Sequence, residues 1–229
     1  MTNFVTLTNL LLTRMNEVTL DTAGDGFGSA RGVQALAKNA VNNSIRIILQ
    51  EAQEWPFLKT TYTQTLTADV RDYAYPSGFS SVDIDSFYLK KTSGLDNEPK
   101  KLKVITYEEY LESYRALDDN GRTGATEVVY QTYEGIFGVS PNPDAAYEVE
   151  YVYWAFPNDL TLFNDECIIP GRFNHTLIDG AMMFMMRFRS NDQSAAMHQQ
   201  NFENGIKAMR RVLLDDPTHI RSTVINGRG

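Results

Sequence analysis

The chain has 229 residues, 42% hydrophobic and 11% aromatic, enough to bury the core of one large or two small soluble domains. Its single cysteine, Cys167, excludes an internal disulfide framework and suits a reducing compartment. A net charge of −8 works against gripping a phosphate backbone, and the longest apolar run, residues 181–186, is far short of the roughly 20 residues a membrane span needs.

In chain order, Leu7, Leu10, Leu11, Met15 and Val18 fall near one face and predict a helix over 6–17. The start, Met1-Thr2-Asn3-Phe4, has no basic cluster and reads as a mature cytosolic product without a secretion signal. Four glycines within 21–32 predict a loop. A second helix is predicted over 33–54, with Val33, Ala37, Val41, Ile48, Ala52 and Trp55 on one stripe and Pro56 ending it. Alternating β-branched and aromatic residues then predict a strand over 58–66 that turns at Ala68-Asp69 and returns through 71–75. Further strands are expected over 81–91 and 102–105. Thr106 and Glu109 have the spacing of a capping box opening a helix over 107–117. Strands over 127–133, 135–139 and 147–154 follow, with Pro141-Asn142-Pro143-Asp144 read as the hairpin joining the last two.

Helical spacing returns at Pro170. Phe173, Leu177, Ala181, Phe184, Met185 and Phe188 mark an inner face that Met182, Met183 and Met186 widen almost all the way round. Such a helix is surrounded by other helices or by a neighbouring subunit, and both readings stay open. Asn191 or Asp192 caps a last helix with Ala195, His198, Phe202, Ile206, Met209 and Leu213 on its stripe. The tail from Pro217 has little to bury.

This order, helices, then a strand-rich middle, then helices, predicts an α+β protein. A helical bundle is built from both chain ends (1–57 and 170–216), and an antiparallel β-sandwich or barrel-like unit (58–169) is inserted between them; 217–229 is a tail. Charge follows the same division. Residues 58–169 hold nine basic and nineteen acidic groups, whereas 170–229 hold eight basic and five acidic. The acidic middle reads either as plain solubility or as a surface that lets a polyanion pass without sticking.

Catalytic and metal motifs are missing. The glycine loop at 24–32 has Ser29 where a dinucleotide fingerprint needs its third glycine, and no Gly-Lys-Ser/Thr follows. Ala23 and Gly32 occupy ligand positions of a calcium loop. Cys167 and His175 match no common zinc spacing. His198 reads as a satisfied core group. Asp83 and Asp85 share a strand face and read as a solvated pair rather than as catalytic carboxylates. The chain is expected to be no enzyme and to use no cofactor or metal.

Several segments carry a resemblance. They are the helix end Trp55-Pro56-Phe57, the strand Asp72-Tyr73-Ala74-Tyr75-Pro76, Phe79-Ser80-Ser81-Val82-Asp83, and the stretch from Leu102 through Thr106 to Tyr110. To these add Ile136-Phe137-Gly138-Val139-Ser140-Pro141-Asn142-Pro143-Asp144, the strand Tyr147 to Tyr153, and Ile168-Ile169-Pro170-Gly171-Arg172-Phe173 before an Ala/Met-rich helix. In order and texture, over about 6–215, the chain resembles head-to-tail adaptor (connector) proteins of tailed bacteriophages, among them tail tubular protein A of short-tailed phages.

The resemblance implies a structural virion protein of the neck, made in the host cytoplasm. It implies a ring, usually of about twelve copies, between the portal protein of the head and a tail tube or nozzle protein. DNA would pass its lumen without sequence-specific contact, and no membrane is involved. Family members often send C-terminal segments into the portal, which makes Ile220, Arg221, Val224, Ile225 and Arg228 portal-interface candidates. Met182, Met183, Met185, Met186 and Phe188 are the core or subunit-packing candidates. Alternatives are a tail-completion or tail-terminator protein, or a β module that binds a glycan on exposed Tyr or Trp154.

Overall fold

The computed structural model describes residues 1–21, 27–52, 54–132 and 135–214. The portal candidates Ile220, Arg221, Val224, Ile225 and Arg228 and most of the glycine loop lie outside them. The protein is α+β, as its element order predicts. Contacts divide the chain into two units, Met1–Phe57 with the chain from Asp159 onward, and Leu58–Asn158. Residues 159–169, expected with the β unit, thus pack on the helical side. Asn42 fixes them there by accepting from the Leu160 N–H (3.2 Å) and donating to the Leu160 carbonyl (2.9 Å).

In the helical unit, a short strand β1 (Thr2–Asn3) pairs antiparallel with β10 (Glu166–Cys167) and leads into α1 (Phe4–Arg14). This helix starts and ends before the predicted 6–17, because Phe4 and Val5 are already buried. Helix α2 (Val33–Glu51) stops three residues short of the predicted end. Beyond it Trp55 folds back, fully buried, and its indole N–H donates to the Ile48 carbonyl at 2.8 Å. After a 3-10 turn, α5 (Asn174–Phe188) packs on α1, α2 and α6 (Asp192–Leu213). Asn191 caps α6 as expected, its side chain accepting from the Ser194 N–H at 3.1 Å. Two glycines let the helices approach. A Cβ on Gly180 would lie 2.6 Å from the Phe202 ring, and one on Gly205 would lie 2.6 Å from Thr176 Oγ1.

The second unit contains β2 (Lys59–Thr65), β3 (Asp72–Ala74), β4 (Phe79–Leu89), β5 (Lys100–Lys101), β6 (Lys103–Ile105), α3 (Tyr107–Ser113), α4 (Arg115–Asp119), β7 (Val128–Gln131), β8 (Ile136–Ser140) and β9 (Glu148–Ala155). They form two open four-stranded sheets, β2-β9-β4-β5 and β3-β8-β7-β6. Both inner faces feed one core, with Phe87, Leu89, Val149 and Tyr151 from the first sheet and Tyr73, Val129, Phe137 and Val139 from the second. That is the sandwich form of the expected unit; no barrel closes, and β6–β7 is a parallel pair.

Both predicted hairpins are corrected. The turn at 68–69 does not return β2 on itself, since β2 pairs with β9 and β3 with β8. Residues 141–147 likewise carry the chain from β8 in one sheet to β9 in the other. Both segments redirect the chain, but a sandwich core rewards crossing between sheets as readily as pairing within one. The predicted helix over 107–117 is two short helices with Tyr114 between them. Thr106 caps α3 by accepting from the Glu109 N–H at 3.1 Å. The other half of the capping box is replaced, because the Glu109 carboxylate accepts from Lys103 Nζ at 3.1 Å.

Candidate functional site

The methionine helix separates into two kinds of residue. Met182, Met183 and Met185 are buried in the unit's own core and Met186 is half-buried, whereas Phe188, expected on the inner face, is 61% exposed at the helix end. Among these helices lies a polar knot. Asp179 of α5, 8% exposed, accepts from Arg14 of α1 at 2.8 Å and meets His198 Nδ1 of α6 at 3.2 Å. His198 is therefore the satisfied core histidine that its position on the stripe predicts. The knot ties three helices together, and with every member partnered its role is structural.

Two surface features of the helical unit lack that self-sufficiency. The first is the solvent side of α6. Gln193, Met197, Asn201, Asn204, Ala208 and Val212 follow one another there at helical spacing, all exposed. Met197 is 56% and Val212 59% exposed. Arg211 lies within the stripe, Lys207 borders it on one side, and Glu203 and Arg210 lie beyond Lys207. Surface helices ordinarily put charge opposite the core; depletion of charge with exposed Met is the composition of a protein interface. The second is an apolar groove of about 460 Å³ on the α1 side of α5, walled by Leu10, Thr13, Arg14, Asn174, His175 and Ile178. Leu10, assigned to a buried face from sequence, is 46% exposed at its rim. The stripe could have been read from a helical projection of 192–213. The groove could not, because its walls come from two helices distant in sequence.

The β unit has a cleft of about 300 Å³ between α3 and the second sheet, with Tyr110 and Tyr130 stacked at 4.0 Å on its wall. Arg71 Nη1 donates to the Tyr110 hydroxyl at 2.7 Å. Burial pushes the Tyr130 hydroxyl far above the usual tyrosine range, so it stays protonated. The wall holds no histidine or cysteine to act as base or nucleophile. Asp83 pairs with Lys59 at 3.7 Å, Asp85 is exposed, and the register of β4 shifts between Asp83 and Tyr88. Trp154 is half-buried, with Lys59 Nζ 5.2 Å from its ring centre. Burial pushes the Cys167 thiol up, away from reactivity. Among the described residues no group of three His, Cys, Asp or Glu could hold a metal ion, and no helix is long and apolar enough to cross a membrane.

A family model described as SU10 adaptor protein matches residues 2–223. The chain belongs to the SU10 adaptor family. It is a phage adaptor protein, and the match spans both units of the fold. None of the curated proteins compared matches this adaptor.

Proposed function

We propose that this adaptor assembles into a ring in the virion neck, joining the portal of the DNA-filled head to the tail and continuing the DNA channel. The observation that carries this reading is the pair of unsatisfied surfaces on the helical unit. The charge-poor stripe of α6 and the groove beside Leu10 are different patches on one molecule, as a head-to-tail cyclic contact between copies requires. Met197 and Val212 of one copy are the side chains of a size and character to enter the groove of the next. About twelve copies would then close the wall.

The acidic β unit leaves the ring free of strong phosphate contacts, so DNA slides rather than binds. The segment 217–229, with Arg221 and Arg228, is the proposed portal contact. Its arginines pair with portal carboxylates once docked, and Ile220, Val224 and Ile225 supply the apolar part of that contact. Electron microscopy of the chain mixed with a purified portal ring tests the reading directly. Rings seated on portals are the expected result, lost on Met197→Glu with Val212→Glu and lost separately on truncation after Leu214. Portals decorated equally by all three proteins would overturn it.

A further inference from the structure

Two sheets have four edge strands, and in this protein three of them are short: β3 and β6 have three residues and β5 has two. The fourth, β2, has seven, Lys59-Thr60-Thr61-Tyr62-Thr63-Gln64-Thr65, and all but Gln64 are exposed. Natural proteins blunt a long edge with proline, a bulge or inward charge. Strand β2 has no proline, runs against β9 without a register shift over its whole length, and carries a single charge, Lys59.

The ladder shows which of its main-chain groups are unused. The Leu66 N–H donates to the Tyr147 carbonyl at 2.7 Å, so alternation makes Gln64, Tyr62 and Thr60 the residues bonded to β9. On β9, the Glu148 carbonyl accepts from the Lys90 N–H (2.8 Å) and the Val152 N–H donates to Ser86 Oγ (2.8 Å), both on the β4 side, which fixes the same phase independently. The N–H and C=O groups of Thr61 and Thr63 therefore point outward from the sheet edge. Tyr62 lies beside them on the core side, 36% exposed, with its ring 5.7 Å from Tyr151. The aromatic core reaches this edge and stops there uncovered.

We infer that β2 pairs with β2 of a second copy of this chain, antiparallel about a two-fold axis at Tyr62. Length selects the occupant: among the described strands that end a sheet, only β2 matches β2 residue for residue. Composition agrees. In this register Lys59 faces Thr65 of the second copy, Thr60 faces Gln64, Thr61 faces Thr63 and Tyr62 faces its own equivalent. No like charges oppose, and Thr–Thr and aromatic pairs meet. Thr61 and Thr63 exchange about four hydrogen bonds with the other copy, and the two Tyr62 rings cover the open end of both cores. The contact is isologous, so it closes at two copies and is separate from the head-to-tail ring surface. It belongs to the free chain before assembly, where it masks an edge that would otherwise recruit strands indiscriminately.

Sedimentation equilibrium of the full chain, with engineered cross-linking, tests this. The unmodified chain is expected to show a concentration-dependent dimer. Tyr62→Cys should give a covalent dimer on mild oxidation, since directly opposed residues of a non-bonded pair lie about 4.5 Å apart at Cα. Thr60→Cys should not, as its equivalents lie roughly 13 Å apart along the strand. Thr63→Pro removes only an outward donor, once per copy, and should weaken the dimer roughly thirtyfold. Should that variant lose its fold, Thr61→Lys with Thr63→Lys serves instead: it should be monomeric, whereas Thr61→Lys with Thr63→Glu should dimerise again. A chain that stays monomeric at all concentrations, cross-links equally at both cysteines, or forms assemblies indifferent to these changes overturns the inference. Portal decoration by the same variants reports on the ring alone, so failure of one reading is distinguishable from failure of the other.

Discussion

The two units of this adaptor solve the same problem, burying apolar surface, by means that differ in range. In the helical unit each element carries its own pattern, and the tertiary structure adds close approaches between helices far apart in sequence. In the β unit the elements are equally well marked, and β4–β5, β6–β7 and β7–β8 pair as neighbours in sequence, yet the sheets are completed by distant partners: β2 and β4 find β9, and β3 finds β8. The helical unit therefore depends on a few central residues, and the β unit on crossings that bring remote strands together.

The largest expected effect falls at the centre of the helical unit. Met185→Glu puts a carboxylate at a site 2% exposed between packed helices and should cost about 4 kcal/mol or more, enough to unfold that unit. Thermal unfolding followed by circular dichroism checks it; a folded, assembling variant would mean that the two units do not differ in this way. Gly180→Ala comes next. On an exposed helix that change stabilises by about 1 kcal/mol, but here the new methyl meets Ser44 and Phe202, and a loss of about 2 kcal/mol is expected. The same substitution at Gly138, where a Cβ would overlap the Tyr130 ring, asks whether the sheet side is as unforgiving.

The smallest effect sharpens the comparison through pH. Asp165, on the helical side, accepts from the N–H groups of Thr161 and Leu162, both at 2.7 Å, and these bonds hold its carboxyl below the usual range. Its contribution is present above the unfolded value of about 3.9 and is lost as pH falls through the lower folded value. Asp118, in the β unit, is 3% exposed, and burial pushes its carboxyl up. A raised acid favours the folded state most when protonated, so that stability is complete below about pH 3.9 and lost as pH rises through the folded value. Asp165→Asn should thus lower the midpoint of thermal unfolding at pH 7 and Asp118→Asn should raise it. Both differences should shrink as the solution is acidified. Equal signs for the two variants would refute the assignment.

What the sequence by itself determined was local. The apolar spacing in 33–51 and 174–213, the caps at Thr106 and Asn191, and the alternation in 59–65 and 148–155 specify element type, because each depends on contacts within a few residues. The order of those elements, with a resemblance in texture, was enough to point to phage adaptors. Only the tertiary structure decided which strands are neighbours, that 159–169 joins the helices, that Phe188 faces solvent, and that a groove opens beside Leu10. Those outcomes depend on how remote segments share one core, and an energy balance among distant partners leaves no periodic mark on the chain.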